Sequence, residues 1–253
     1  MAAAVGSGGG VSSGAPKLYI DRMSQPCRTV VIFCKSAGVP FEEVRTAVSR
    51  GDQRKPDFLA VNPLGKLPAL QEGSFCLPES AAIMRYLCHT RQVADHWYPS
   101  DPQARARVSS ALDWHGSTLR VAAMAVVWNR ALTLTLGHEG NEAVVTDWAL
   151  PNLKRALKAI DTVWLRDSPF LAGQHQISIA DLLLSCEIEQ LCLLDAAAQG
   201  PTMDELLRPH AHLRAWLVHV REASAPHYDE VHALLRKARD RLVARQQQQA
   251  SKL

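Results

Sequence analysis

No two of the six cysteines stand close enough to form a Cys-x-x-Cys pair; they fall at positions 27, 34, 76, 88, 186 and 192. That spacing excludes the usual zinc and dithiol redox motifs. It predicts free thiols in a reducing compartment, packed among apolar side chains. The ten histidines include no His-Glu-x-x-His, and His210 and His212, two residues apart, do not share a helical face. No metal site is expected. No apolar run approaches the roughly 20 residues of a membrane span, so no membrane partner is expected either. A net charge of +3 is too small an excess to suggest nucleic acid. Residues 1–16 carry no charged side chain, and no arginine precedes Arg22. They lack both a secretory apolar segment and the arginines of a transit peptide, and they are expected to form a disordered arm.

What the chain does have is length and apolar content. Its 253 residues, 47% of them hydrophobic, suffice for one large domain or two small ones with ample core. The richest local signal is Ser24-Gln25-Pro26-Cys27. It follows the apolar segment Leu18-Tyr19-Ile20 and opens a helix-like run, Cys27–Ala37, in which Val30, Phe33, Cys34 and Ala37 share one face. Pro26 suits a first helical turn, where its missing N–H costs nothing. Ser24 thus stands where unpaired backbone N–H groups converge and the helix dipole favours negative charge. Its hydroxyl can cap the helix or hold an anion such as a thiolate. A dithiol redox enzyme would carry cysteine at that position.

Along the chain, Leu18–Ile20 reads as a strand and Phe41–Val48 as a second. Pro56–Ala60 reads as a short helix. Residues 69–71 and 75–77 flank Glu72-Gly73-Ser74 as a hairpin, and a helix follows over 79–90. This order predicts an α/β thioredoxin-like domain over 17–91. Beyond Pro99 the strand signals vanish, which predicts an all-α domain over 92–246. Asp101-Pro102 looks like a cap followed by a first-turn proline. Val108, Leu112, His115, Leu119, Ala122 and Val126 mark one face of a long helix, and Leu153, Leu157, Ile160 and Trp164 mark another. Pro151 predicts a break or kink. Ser178 and Asp181 form a capping box, with Ile177 and Leu182 as a hydrophobic staple. Two more helices are expected over 211–222 and 229–246, then a tail over 247–253.

Three ordered signatures carry a family resemblance: Ser24-Gln25-Pro26-Cys27-Arg28, Asn62-Pro63-Leu64-Gly65-Lys66-Leu67-Pro68-Ala69-Leu70, and Pro78-Glu79-Ser80 ahead of a helical run. Together they resemble the glutathione-binding signature of the glutathione transferases, most of all the theta class. The resemblance implies the thioredoxin-like plus helical architecture, a homodimer, and glutathione as co-substrate with no resident cofactor. It implies that Ser24 activates the glutathione thiol, and that Leu67, before a cis-Pro68, pairs with the cysteinyl backbone. It further implies that Ser80 and Glu79 receive the γ-glutamyl carboxylate and ammonium, and that Lys66 and Gln53 receive the glycyl carboxylate. Histidine often takes the place of Gln53 in the theta pattern. Arg120 would add positive charge over the site, and Met23, Trp114 and Trp128 would line it for an apolar co-substrate. Each has a plainer reading beside it: Ser24 and Ser80 as caps, Glu79 as a first-turn acid, Lys66 as a solvated lysine, and Met23 and the tryptophans as core.

The expected reaction is attack of the activated thiolate on an apolar electrophile or an organic hydroperoxide. The alternatives are a non-catalytic binder of glutathione conjugates and a thiol–disulfide reductase using Cys27. Ser251-Lys252-Leu253 matches the peroxisomal address at the chain end. It predicts an import receptor as partner and a peroxisomal location, with the cytoplasm as the alternative.

Overall fold

The computed structural model describes residues 14–133, 138–197 and 199–250. Most of the expected N-terminal arm and the whole Ser251-Lys252-Leu253 signal lie outside them. The first unit runs β1 (Lys17–Ile20), α1 (Gln25–Ser36), β2 (Glu42–Arg45), α2 (Pro56–Val61), β3 (Ala69–Glu72), β4 (Phe75–Pro78) and α3 (Ser80–Thr90). The strands form one sheet in the order β2-β1-β3-β4. β1 and β2 are parallel, and β3 is antiparallel to both β1 and β4. This is the expected thioredoxin-like domain. Alternation turns Leu18 and Ile20 into the core. Tyr19, on the other face, meets the Phe58 ring of α2 edge-on at 5.7 Å.

Two elements differ instructively from their sequence patterns. β2 ends at Arg45; Thr46 N still donates to Ile20 O at 2.8 Å, and side-chain carboxylates take over the backbone donors after it. Asp52 Oδ2 accepts from Ala47 N at 2.9 Å, and Asp21 Oδ2 from Val48 N at 3.0 Å. Helix α1 is buried on all sides from Cys27 to Cys34, along with Gln25, although its sequence shows one clear apolar stripe. A helix covered all round lies between two layers; here these are the sheet and the second domain.

That domain is all-helical: α4 (Pro102–Trp114), α5 (Arg120–Val127), α6 (Leu150–Ala159), α7 (Ile179–Glu189), α8 (Met203–Leu207), α9 (Ala211–Ala223) and α10 (His227–Ala250). Asp101 caps α4, accepting from Ala104 N at 2.8 Å. All six residues of the expected long-helix face, from Val108 to Val126, are buried. Pro151 does not break its helix. It sits in the first turn of α6, directly after a π turn over Val145–Ala149. The wider turn relieves the clash a proline ring makes with the preceding turn of an α-helix. The last helix continues to Ala250, four residues beyond its expected end at 246.

Helix α7 is the axis of the second domain, buried from Ile179 to Ile188. The Ser178–Asp181 box forms at its start. Asp181 does more than close it. Oδ2 accepts from Ser178 N at 2.8 Å and from Ser178 Oγ at 2.7 Å. Oδ1 accepts from Leu171 N and Trp216 Nε1, both at 2.8 Å. One buried carboxylate thus joins a loop, α7 and α9.

Candidate functional site at one end of the sheet

Strand register gathers the candidate residues. Ile20 pairs with Arg45, Tyr19 with Ala69, and Ala69 with Pro78. The C-terminal ends of β1, β2 and β4 and the N-terminal end of β3 therefore lie at one end of the sheet. Ser24 follows β1, Gln53 follows β2, Lys66-Leu67 precede β3, and Glu79-Ser80 follow β4. Crevices beyond strand ends are where α/β folds commonly bind ligands.

The turn into α1 is held from within. Asp21 Oδ1 accepts from Met23 N, and Asp21 O from Ser24 N, both at 2.9 Å. Ser24 stands at the cap position with extended backbone (φ −85°, ψ 129°), yet its side chain makes no capping bond. Its hydroxyl instead acts on the Cys27 thiol. Cys27 is fully buried. Burial pushes its thiol up to about 12, against the smaller opposing effects of an Asp21 backbone bond and the Ser24 hydroxyl. A thiol held so high supplies almost no thiolate near neutral pH. Cys27→Ser is therefore expected to retain most glutathione-dependent activity. Loss of activity in that variant, with Ser24→Ala unaffected, would transfer the chemistry to Cys27.

The opposite wall begins with Leu67-Pro68, a cis peptide. Leu67 is half-buried and Lys66 exposed. Asn62 Nδ2 donates to Lys66 O at 2.8 Å, which fixes the loop before β3. Gly65 packs against the Gln53 backbone: a Cβ there would lie 3.4 Å from Gln53 O. Gln53 Oε1 is buried without a hydrogen-bond partner among the described residues. Glu79 is exposed and has a positive φ of 71°, a conformation that costs a non-glycine residue and persists where surrounding structure enforces it. Ser80, buried, is the first residue of α3. The free N–H groups of this 11-residue helix open toward the same end of the sheet, a favourable place for a carboxylate.

Beneath Ser24 lies a polar network that no sequence motif announced. Gln25 Nε2 donates to Glu187 Oε1 at 3.1 Å. Glu187 Oε2 meets Arg120 Nη1 at 2.8 Å and His115 Nε2 at 3.2 Å. Burial raises the Glu187 carboxyl, but the His115 bond and the Arg120 charge outweigh it and hold the group below its usual range. Arg28, fully buried, donates to Arg22 O at 3.1 Å, Met23 O at 3.0 Å, Cys186 O at 3.2 Å and Gln190 Oε1 at 2.7 Å. It ties the turn carrying Ser24 to the second domain. The one available signal was a lone acid, Glu187, in a run from Leu182 to Ile188 that is apolar apart from Ser185.

The family resemblance gives Arg120 positive charge over the site. Its ion pair with Glu187 neutralises much of that charge, although 34% of its side chain is exposed. Trp114 packs on Trp164 with ring centroids 5.7 Å apart, Trp128 is 46% exposed, and Met23 packs against the core. Among the described residues, no group of three or more His, Cys, Asp or Glu could hold a metal ion.

Comparison with known proteins agrees with this geometry. Residues 16–89 match the family model for the N-terminal domain of glutathione S-transferases. The chain is 42% identical to glutathione S-transferase T1 of Arabidopsis thaliana over 226 residues, which cover 88% of this chain and 90% of that one. It is 43% identical to glutathione S-transferase T3 of the same plant over 89% of this chain, but spans only 38% of that longer protein. The crystal structure of human glutathione transferase theta-2, in complex with glutathione and an unknown ligand, superposes with a TM-score of 0.78 at 34% identity, covering 94% of this chain and 91% of that one.

Proposed function

Because this chain belongs to the glutathione S-transferase family, we propose that it activates glutathione as a thiolate for attack on apolar electrophiles and organic hydroperoxides. The observation carrying this reading is the Ser24 hydroxyl, which stands at a helix start without capping it. A free thiol titrates near 8.5, whereas the thiolate is the nucleophile. Lowering that value by about 2 units requires ~2.7 kcal/mol of preferential stabilisation of the anion. A hydroxyl donor and the positive end of α1 are the groups suited to supply it. Gln53 and Lys66 would hold the glycyl carboxylate, Leu67 the cysteinyl backbone, and Glu79 and Ser80 the γ-glutamyl end.

With an alkyl halide, the sulfur forms a thioether and the halide leaves with the bonding electrons. With a hydroperoxide, the sulfur takes the distal oxygen, the O–O bond breaks and an alcohol leaves. A second glutathione then yields disulfide and water. A panel of glutathione with a hydroperoxide, an alkyl halide and an aryl halide tests this reading. Binding of glutathione without turnover of any of them would favour a non-catalytic conjugate binder. Burial of Cys27 argues against disulfide exchange.

The reading includes a homodimer, by family likeness, and a peroxisomal location, supported by the terminal Ser251-Lys252-Leu253. The import receptor that reads this signal would be a partner, and a peroxisomal location would bring the enzyme to organic hydroperoxides; the cytoplasm is the alternative. Deleting the three residues should move the protein to the cytosol without changing its specific activity. Imaging an N-terminally tagged fusion checks this, and a full-length fusion that stays diffuse would remove the main support for hydroperoxides.

A further inference from the structure

We propose that Glu187 is a positioning residue: its buried carboxylate, clamped by His115 and Arg120, fixes Gln25 and through it the orientation of Ser24. The proposal rests on the reading that Ser24 activates the thiol.

A carboxylate with only 1% of its side chain exposed is costly to bury, and apolar residues often serve a core as well or better. Its presence in a helix buried from Ile179 to Ile188 therefore calls for a cause. The local backbone is shaped around it. His115–Leu119 forms a π turn, and Arg120 N donates to His115 O. In a regular α-helix, residues five apart point about 140° away from each other, so His115 and Arg120 could not meet one oxygen. The wider π turn stacks them, and both reach Glu187 Oε2. Such turns recur at functional sites.

Two cationic or donor groups on Oε2 leave Oε1 free for Gln25 Nε2 at 3.1 Å. Gln25 is the first residue of α1 and shares a peptide unit with Ser24. Holding the Gln25 side chain against α7 fixes the backbone on which the Ser24 hydroxyl turns. Further along α1, other bonds already join the two domains, including Thr29 Oγ1 to Leu182 O at 3.5 Å. Arg28 holds the turn ahead of Ser24 through Arg22 O and Met23 O, and the Gln25–Glu187 bond holds the residue directly after it.

The test compares Gln25→Leu, Glu187→Gln, their double variant, and Thr29→Val as control. Gln25→Leu removes the donor but leaves Glu187 paired with His115 and Arg120. It should lower kcat for conjugation roughly tenfold, keep KM for glutathione within about twofold, and move the acid limb of the kcat–pH profile upward. Thr29→Val removes the Thr29 hydroxyl's bonds to Leu182 O and to the Gln25 carbonyl but leaves the Gln25 side chain on Glu187, and should move neither. Glu187→Gln should act in the same direction, and the double variant should lose no more than the worse single one. Wild-type kcat and pH limb in Gln25→Leu, equal losses in Thr29→Val, or losses that multiply in the double variant would overturn the proposal. If Glu187→Gln fails to fold, Gln25→Leu against Thr29→Val decides. If Ser24→Ala is itself without effect, the underlying reading fails. If Ser24→Ala is impaired and Gln25→Leu is not, only the positioning role fails.

Discussion

Replacing Ser24 with alanine is expected to lower glutathione-dependent turnover on the order of a hundredfold while leaving the fold intact. Removing one well-aimed donor from a developing or bound anion typically costs that much. The fold should tolerate the change because the Ser24 hydroxyl makes no capping bond, so even the ~1 kcal/mol usually lost with a cap is not at stake. Glutathione binding should also hold, since the groups proposed for the two ends of the tripeptide lie on other loops. The variant should regain rate as pH rises, because a thiol left near 8.5 ionises only in alkaline solution. Steady-state kinetics across pH check this. An unchanged profile would remove Ser24 from the chemistry.

Asp181→Ala should damage the protein in the opposite way, through stability. Its carboxylate accepts from Leu171 N, Ser178 N, Ser178 Oγ and Trp216 Nε1, and all of that is buried. Truncation leaves these donors without their acceptor, at roughly 1–3 kcal/mol for each stranded group, not strictly additive. A total loss of about 4 kcal/mol is a large share of the 5–15 kcal/mol that holds a typical domain. It corresponds to a fall in Tm of about 8–16 °C for a chain of this size. Asp181→Asn keeps acceptor capacity and should fall less. Thermal unfolding of the two variants beside wild type measures this. An Asp181→Ala protein that melts with wild type would show that the four bonds do not bear on stability.

The first domain was legible because its signals are local. Pro26, the Glu72-Gly73-Ser74 turn and the alternating strands act within a few residues, and the hairpin and α1 lie close to where those signals put them. The Ser178–Asp181 box was legible for the same reason. What could not be read depends on distant partners. Arg120 meets Glu187 across 67 positions, and Gln25 meets it across 162. Nothing in a periodicity count shows that Asp21 and Asp52 will take the backbone donors beyond β2, or that α1 will be covered on both sides. The π turns were invisible too. Residue spacing on an apolar face tolerates one extra residue, so Val108 to Val126 fitted the expected stripe while the backbone widened between His115 and Leu119. Glu79 offered no cue to its positive φ, since glutamate is not a residue that seeks it.

The most direct measurement is titration of the glutathione thiol while bound, followed by the ultraviolet absorbance of the thiolate. If Ser24 and the start of α1 stabilise the anion, the bound thiol of the wild-type protein should titrate about 2 units below the free value near 8.5, and Ser24→Ala should return it most of the way. A bound thiol that titrates with free glutathione in the wild-type protein would contradict thiolate activation at this site.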